Sequence, residues 1–564
     1  MIAKNKQALL KIVTGPDPTP QAAYAAAELR HYLNLMTAAP FEIAERADGP
    51  AIEIMMDKSM GEDAFTVRTA RDGIAIAGGR RGVIYGVYEL LEAMGCRFFT
   101  PACEKIPCVP DLPLPEIDIA RKPALEYRWH NYRDFTQYPR FAVKSRLNGT
   151  ALPEEYGGGA PYAWFVHSFE REIIHPDDYF EEHPEYFSMA EGKRLRDFSQ
   201  LCLTNPEVLE ITVEKVRAAL RAKPECRIIS VSQNDCMNYC ECPACAAIDE
   251  REESRAGSLI AFVNQVAEAI EEEFPEVVVD TLAYMYSRPA PKYIRPRHNV
   301  CVRLCSIECC FSHSFERCSC DENGNFLDDL RAWAQVCDRL YIWDYTTGFA
   351  HYPAPHPNWN ALQPNMRSFV ENNVKGVFEQ ACGALGGGTD LNELRAYLIC
   401  KLLWDPNCDM GRHKREFCEH YYGAAAPFIL AYIEALTDKA ERDNIHTGFN
   451  DNCDRGYLTG EMLDMYDDLF DQAERAVAGD ALRLARAAKA RLSIRWVRMK
   501  NRRMLRGGID PMEVNQFFED WRGHGLTRID EWVSAETTLR ALLEGKWRGI
   551  SYYRHWADEG GERL

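Results

Sequence analysis

The chain has 564 residues and a mass of 64.4 kDa, too long for one hydrophobic core and enough for roughly three domains. Hydrophobic residues make up 46% and charged residues 27%, a globular balance that excludes a disordered chain. The net charge of −19 repels phosphate backbones and so excludes nucleic acid and anionic membranes as partners. An anionic sugar would need a local basic pocket.

At the N-terminus, Lys11 interrupts a short apolar run and no small-residue cleavage site follows, so no signal peptide is expected. No segment approaches the roughly 18 apolar residues of a membrane span. Residues 1–115 read as a small α/β unit. The strand ALLKIVTG leads into the helix PQAAYAAAELRHYLNLMT; the strands AIEIMM, AFTVRT and GIAIAGG follow, then a helix entered from Gly78–Gly79 and closed near Gly95. The Pro-rich stretch PCVPDLPLPEIDIARKP reads as a linker.

Over residues 116–430, short apolar strands alternate with helices. Eight strands are expected: ALEYRWHNY, AVKSRLNG, YAWFVHSF, CRIISVSQND, VVVDTLAYMY, NVCVRLCSIE, RLYIWDY and VKGVFEQACG. Helices such as PEVLEITVEKVRAALRAK and SLIAFVNQVAEAIEEEFP separate several of them. This alternation predicts a (β/α)8 TIM-type barrel, with a doubly wound sheet as the alternative. No Gly-rich phosphate loop follows an early strand, and GALGGGTD after the last one lacks both a Walker Lys and the Rossmann spacing, so no nucleotide cofactor is expected. From 431 to 564 strands vanish. DMYDDLFDQAERAV, ALRLARAAKARLSIRWVRMKNRRML and WVSAETTLRALLEG predict a helical C-terminal domain.

A TIM barrel reacts its substrate at the C-terminal ends of the strands. Three carboxyls stand there as catalytic candidates: Asp235, Asp344 and Glu379. Around them stand Trp129, His130, His167, Asn234, Tyr284, Tyr286, Trp343 and Tyr345 as substrate-binding candidates. Carboxylates ringed by aromatics are the composition of a sugar site, because aromatic faces stack on pyranose CH groups while two carboxyls supply acid and base. Each position has a structural alternative. Asp235 could cap a helix, Glu379 could sit in an ion pair, Glu308 among cysteines reads as structural, and His130 and His167 could be core histidines.

Many of the 21 cysteines, an odd number, sit inside apolar runs such as NVCVRLCSIECC. That setting predicts reduced, packed thiols and a cytoplasmic location. Cys240, Cys242 and Cys245, with Cys236 nearby, lack the usual paired spacing of a zinc site. Cys309, Cys310, Cys318 and Cys320 could complete one only in space. The expectation is no metal and no cofactor.

Several segments taken together, HPEYFSMAEGKR, QLCLTNPEV, VSQNDCMNYCECPAC, FVNQVAEAIEEEFP, YIWDY and KLLWDP, resemble the bacterial family called domain of unknown function 4838. The resemblance spans most of residues 125–430. The N-terminal unit, ending in GGRRGVIYGVYELLEAMGCRFFTP, is similar to the small domain that precedes the barrel in β-hexosaminidases and α-glucuronidases. These resemblances imply an exo-acting glycoside hydrolase that cleaves a terminal uronic acid or N-acetylhexosamine. The α-glucuronidase layout implies Asp235 as the acid after the fourth strand, with Asp344 and Glu379 as its partners. An Asp at that place shortens the acid's reach by one methylene. In hexosaminidases a charged Asp precedes the acid and orients the acetamido group; here Asn234 offers hydrogen bonds without charge. The reading from another class is a non-catalytic carbohydrate-binding barrel. A homo-oligomer stays open.

Overall fold

The computed structural model describes residues 1–383, 386–504 and 510–546. The end of the expected C-terminal helical domain, the last residue of ALRLARAAKARLSIRWVRMKNRRML and part of GALGGGTD lie outside the described residues. The N-terminal unit is a six-stranded mixed sheet. Its spatial order is Asp118–Arg121, Phe65–Ala70, Gly73–Gly78, Ala51–Met56, Lys11–Val13 and Ile43–Ala44. Helices Pro20–Thr37 and Gly82–Ala93 pack on one another and on this sheet. The first helix starts where Thr19 accepts a hydrogen bond from Ala22 N and Pro20 takes the first turn. The expected linker does not end the unit. Once past Pro115, residues Asp118–Arg121 pair antiparallel with Phe65–Ala70 as an edge strand, because the prolines that cannot join a ladder lie before it or, at Pro123, after it.

Six parallel strands form the central sheet, in the order Tyr127–His130, Val374–Gln380, Leu340–Tyr345, Val300–Cys305, Val278–Ala283 and Ile228–Ser230. The sheet curls strongly. Arg303, on the fourth strand of that order, brings its guanidinium over the rings of Tyr127 and Tyr341 and also over Tyr162, at 5.2, 5.7 and 5.3 Å. The result is a parallel half-barrel, and here the expectation of eight strands is corrected. Of AVKSRLNG, Ala142–Lys144 close a helix, Pro139–Lys144, and the remaining residues follow it as a loop, since Pro139 opens a helical turn and the apolar residues run consecutively instead of alternating. YAWFVHSF contributes a single parallel bridge, Tyr162 to Ile228. Backbone hydrogen bonds from Asn148 to Arg128 (3.1 Å) and from Ala160 to Asn148 (2.7 Å) span the gap without forming strands.

Buried and half-buried ion pairs join the N-terminal unit to the half-barrel. Asp63 meets Arg81 at 2.6 Å and Arg128 at 3.2 Å. Glu92 meets Lys401 at 2.5 Å and Arg146 at 3.0 Å. Helices between Met410 and Leu543 follow the last strand. Among the described residues, no helix is long and apolar enough to cross a membrane. Between two of the C-terminal helices the chain returns to the strand ends: Tyr352 N donates to Ile529 O (2.8 Å) and Glu531 N to Phe349 O (3.1 Å). That return completes the site.

Candidate active site

A cavity of about 150 Å³ opens at the C-terminal ends of the parallel strands. Its walls are His167, Asp235, Leu282, Tyr284, Cys305, Ile307, Trp343, Tyr345, Gln380, Phe449, Glu531 and Trp532. Two carboxyls, one imidazole and five aromatic rings thus meet in one space.

Asp235 sits in the loop after strand Ile228–Ser230, half-buried, and its Oδ1 accepts from the Tyr284 hydroxyl at 2.9 Å. It caps no helix; the next one, Pro243–Glu252, begins after Cys242. The loop is tied down by Gln200, whose Nε2 donates to the carbonyls of Asn234 and Cys236, each at 2.8 Å. Asn234, expected to bind substrate, is spent on the same task. Its Nδ2 donates to Ser199 O (2.7 Å) and its Oδ1 accepts from Glu170 N (2.9 Å).

Glu531 arrives from the C-terminal segment. It accepts from the Tyr352 hydroxyl and from Gln380 Nε2 at 3.4 Å, and Gln380 Oε1 in turn accepts from Trp343 Nε1 at 2.7 Å. Burial pushes its carboxyl up to about 6, against the Tyr352 hydrogen bond. His167 holds a left-handed backbone, φ 57°, uncommon for a side chain of this size. Its Nδ1 lies 2.8 Å from Gln233 O. A carbonyl only accepts, so Nδ1 carries the proton in this contact.

Asp344 and Glu379 do not join this site. Trp343, Tyr345 and Gln380 face the cavity, and strand alternation turns the residues between and beside them to the opposite face. There Asp344 and Glu379 lie opposite one another on neighbouring strands. Asp344 Oδ1 accepts from Ser306 Oγ at 2.5 Å. Burial pushes both carboxyls up, and for Glu379 the charge of Asp344 adds to it. Glu379 Oε2 is buried without a hydrogen-bond partner among the described residues, a setting that favours the neutral acid.

His130 stands beside Glu379 on the same face. Its Nδ1 accepts from Tyr132 N (3.1 Å), so Nε2 donates to Cys400 Sγ (3.1 Å), and burial holds it neutral, down to about 3. It is a core histidine. Tyr286 leaves the strand in the turn Met285–Ser287 and packs its ring 5.2 Å from Tyr239. Trp129 packs inside the sheet, near Tyr127 and Phe378, and does not line the cavity. Of the expected residues, the structure therefore gathers Asp235, His167, Tyr284, Trp343 and Tyr345. Sequence reasoning missed Glu531, Trp532 and Phe449, which come from the helical region. It also chose Glu379 where alternation with Phe378 selects Gln380.

A family model described as a domain of unknown function (DUF4838) matches residues 98–434. No curated protein matches the sequence. Among solved structures, the fold is similar to a family GH115 4-O-methyl-α-glucuronidase with specificity for decorated arabinogalactans. That pair aligns at 13% identity and a TM-score of 0.56, over 95% of this chain and 77% of the other. A GH138 enzyme targeting pectin rhamnogalacturonan II aligns over 95% and 74% at 10% identity and a TM-score of 0.47. The GH20 β-N-acetylhexosaminidase from Streptomyces coelicolor A3(2) aligns over 75% and 92% at 13% identity and a TM-score of 0.44.

Proposed function

The chain belongs to the DUF4838 family, and we propose that it is an exo-acting glycoside hydrolase that removes one terminal sugar. The observation that carries this reading is the cavity, where Asp235 and Glu531 are the two carboxyls within an aromatic wall. The likeness in fold to a glucuronidase supports a glycosidase scaffold, and we read the half-barrel as a TIM-type barrel with two positions left unstranded.

Glu531 is the general acid. Burial keeps it protonated up to about pH 6, so it can protonate the departing glycosidic oxygen. Asp235, positioned by Tyr284, acts on the sugar from its half-buried loop as base or nucleophile. This reverses the role expected of Asp235 and replaces Asp344 and Glu379 as its partners. Among the described residues that line the cavity there is no Lys or Arg, so a neutral N-acetylhexosamine fits better than a uronate. The small cavity, covered in part by Phe449 and Trp532, suits a single sugar unit rather than a chain.

The test is turnover of a panel of aryl glycosides that includes N-acetylhexosaminides and uronides. We expect cleavage of a neutral N-acetylhexosaminide, with activity falling as pH rises above about 6 and Glu531 loses its proton. Sugar binding without turnover anywhere on the panel would favour a carbohydrate-binding barrel instead.

A further inference from the structure

We propose that this protein holds two structural zinc ions, one on Cys202, Cys240, Cys242 and Cys245, the other on Cys310, His313, Cys318 and His446. This replaces the expectation of packed thiols without metal. The signal was hidden in sequence because each site takes ligands from distant segments.

In the first site, four Sγ atoms lie within 4.8 Å of one another and all four residues are buried. Tetrahedral zinc with Zn–S bonds of about 2.3 Å places its sulfurs about 3.8 Å apart. Cys202 Sγ and Cys242 Sγ are separated by 3.7 Å, far beyond the roughly 2.05 Å of a disulfide. The sulfurs form a cluster of their own, apart from the main core, with Met189 as its packing partner. Cysteines serving as small hydrophobes would instead be dispersed among aliphatic side chains.

The surroundings also suit thiolates. Four thiols binding Zn²⁺ release four protons and leave two net negative charges. Met189 N donates to Cys240 Sγ at 3.4 Å, and Arg194 Nη1 lies 3.7 Å from the same sulfur. Cys242 occupies the N-cap position of helix Pro243–Glu252 and Cys245 lies in its first turn, where the helix dipole favours negative charge.

The second site rests on separate geometry. Cys310 Sγ is 3.4 Å from His313 Nδ1, and Cys318 Sγ is 3.5 Å from His446 Nδ1. With Zn–S near 2.3 Å and Zn–N near 2.0–2.1 Å, a tetrahedron has sulfur–nitrogen edges of about 3.5 Å. All four ligand atoms again fall within 4.8 Å.

Both sites staple loops that build the cavity. The first pins the chain after Asp235 to the segment that carries Cys202, beside the hairpin Met189–Arg194, where Glu241 N donates to Met189 O at 2.7 Å. The second joins the loop after strand Val300–Cys305 to the segment leading into Phe449, and Phe311 N donates to Thr447 O at 2.9 Å beside it. The zinc ions act by positioning; neither touches the lining carboxyls' cavity.

The experiment is elemental analysis of the full-length chain, purified under reducing conditions without a metal-affinity step. Two zinc ions per chain are expected. Cys242→Ser with Cys245→Ser should lose one, and Cys318→Ser with His446→Ala the other. If a variant does not fold, chelator-stripped wild-type protein is titrated with Co²⁺ instead. Two equivalents should give the absorption bands of tetrahedral cobalt with thiolate charge transfer. A site is overturned if its variant retains the full metal content, or if peptide mapping of the native protein finds its cysteines in disulfides. Metal-free protein that also gives no tetrahedral cobalt spectrum overturns both.

Discussion

Two pairs of carboxyls lie near the C-terminal ends of one parallel sheet, and their surroundings separate them. Asp235 and Glu531 come from a loop and from a returning C-terminal segment, and meet at a cavity. Asp344 and Glu379 belong to adjacent strands in register, closed in behind the sheet. Both pairs contain a carboxyl pushed upward by burial. A raised carboxyl is therefore not by itself a sign of catalysis; what differs is whether a substrate can reach it. The largest effect should follow that line. Asp235→Asn and Glu531→Gln should each lower turnover by about 10²–10⁴-fold, measured on whichever glycoside the wild type cleaves. Asp344→Asn should leave it within a few-fold. The reverse pattern would move the reaction to the other face.

Glu92 supplies a third case, a half-buried carboxyl with cations. Burial alone would raise it, but Lys401 and Arg146 outweigh that and hold it down to about 2. Its folded value thus lies below the unfolded one, so its stabilisation is present above about pH 4.3 and is lost as pH falls toward 2. At neutral pH, Glu92→Gln should cost roughly 3 kcal/mol, because Lys401 and Arg146 are left facing a neutral group. Equal denaturant midpoints for this variant and wild type at pH 7 would refute the pairing.

The sheet pair has the opposite sign. Asp344 and Glu379 titrate above their unfolded values, so folding holds extra protons. Their contribution is fully present below about pH 4 and is lost as pH rises through the folded values. Glu379→Gln removes one of the two charges with little change of shape. It should raise the melting temperature at pH 8 by roughly 1–3 °C, a gain that shrinks toward pH 5. Destabilisation at pH 8 would mean that the ionised pair is stabilised by a group yet to be identified.

The contrast between the pairs also marks how far the sequence could be read. Strands 278–283, 300–305, 340–345 and 374–380 were legible because β-branched and aromatic runs have few other uses. The parity was legible too. Trp343 and Tyr345 share one face of a period-two strand, so Asp344 between them had to face away, and placing all three in one pocket broke that rule. Glu531 was not legible. It lies in a turn between helices, some 150 residues past the last strand, and only tertiary packing brings it to Gln380. Separation along the chain also hid Cys202 from Cys240 and His446 from Cys310. Local pattern reveals elements and faces, whereas a site assembled from far-apart loops needs the fold.

The smallest and sharpest comparison uses a matched hydroxyl on each side. Tyr284 donates to Asp235 at 2.9 Å and Ser306 to Asp344 at 2.5 Å. A hydrogen bond to a charged group contributes about 1.5–3 kcal/mol when buried, and less where water can substitute. Tyr284→Phe removes the donor from a half-buried carboxyl at the reacting centre, so the loss should appear in kcat, at about tenfold, with the melting temperature nearly unchanged. Ser306→Ala removes the donor from a carboxyl closed off behind the sheet. Its hydrogen bond opposes the upward push of burial on Asp344, so without it Asp344 should titrate still higher. Stability should then fall by about 1 kcal/mol, more at alkaline than at acidic pH, while kcat holds. Each hydroxyl would thus report the role of the carboxyl it serves, one through rate and the other through folding. A kcat loss in Ser306→Ala as large as that in Tyr284→Phe would show that the two faces of the sheet act together, and the division between them would fail.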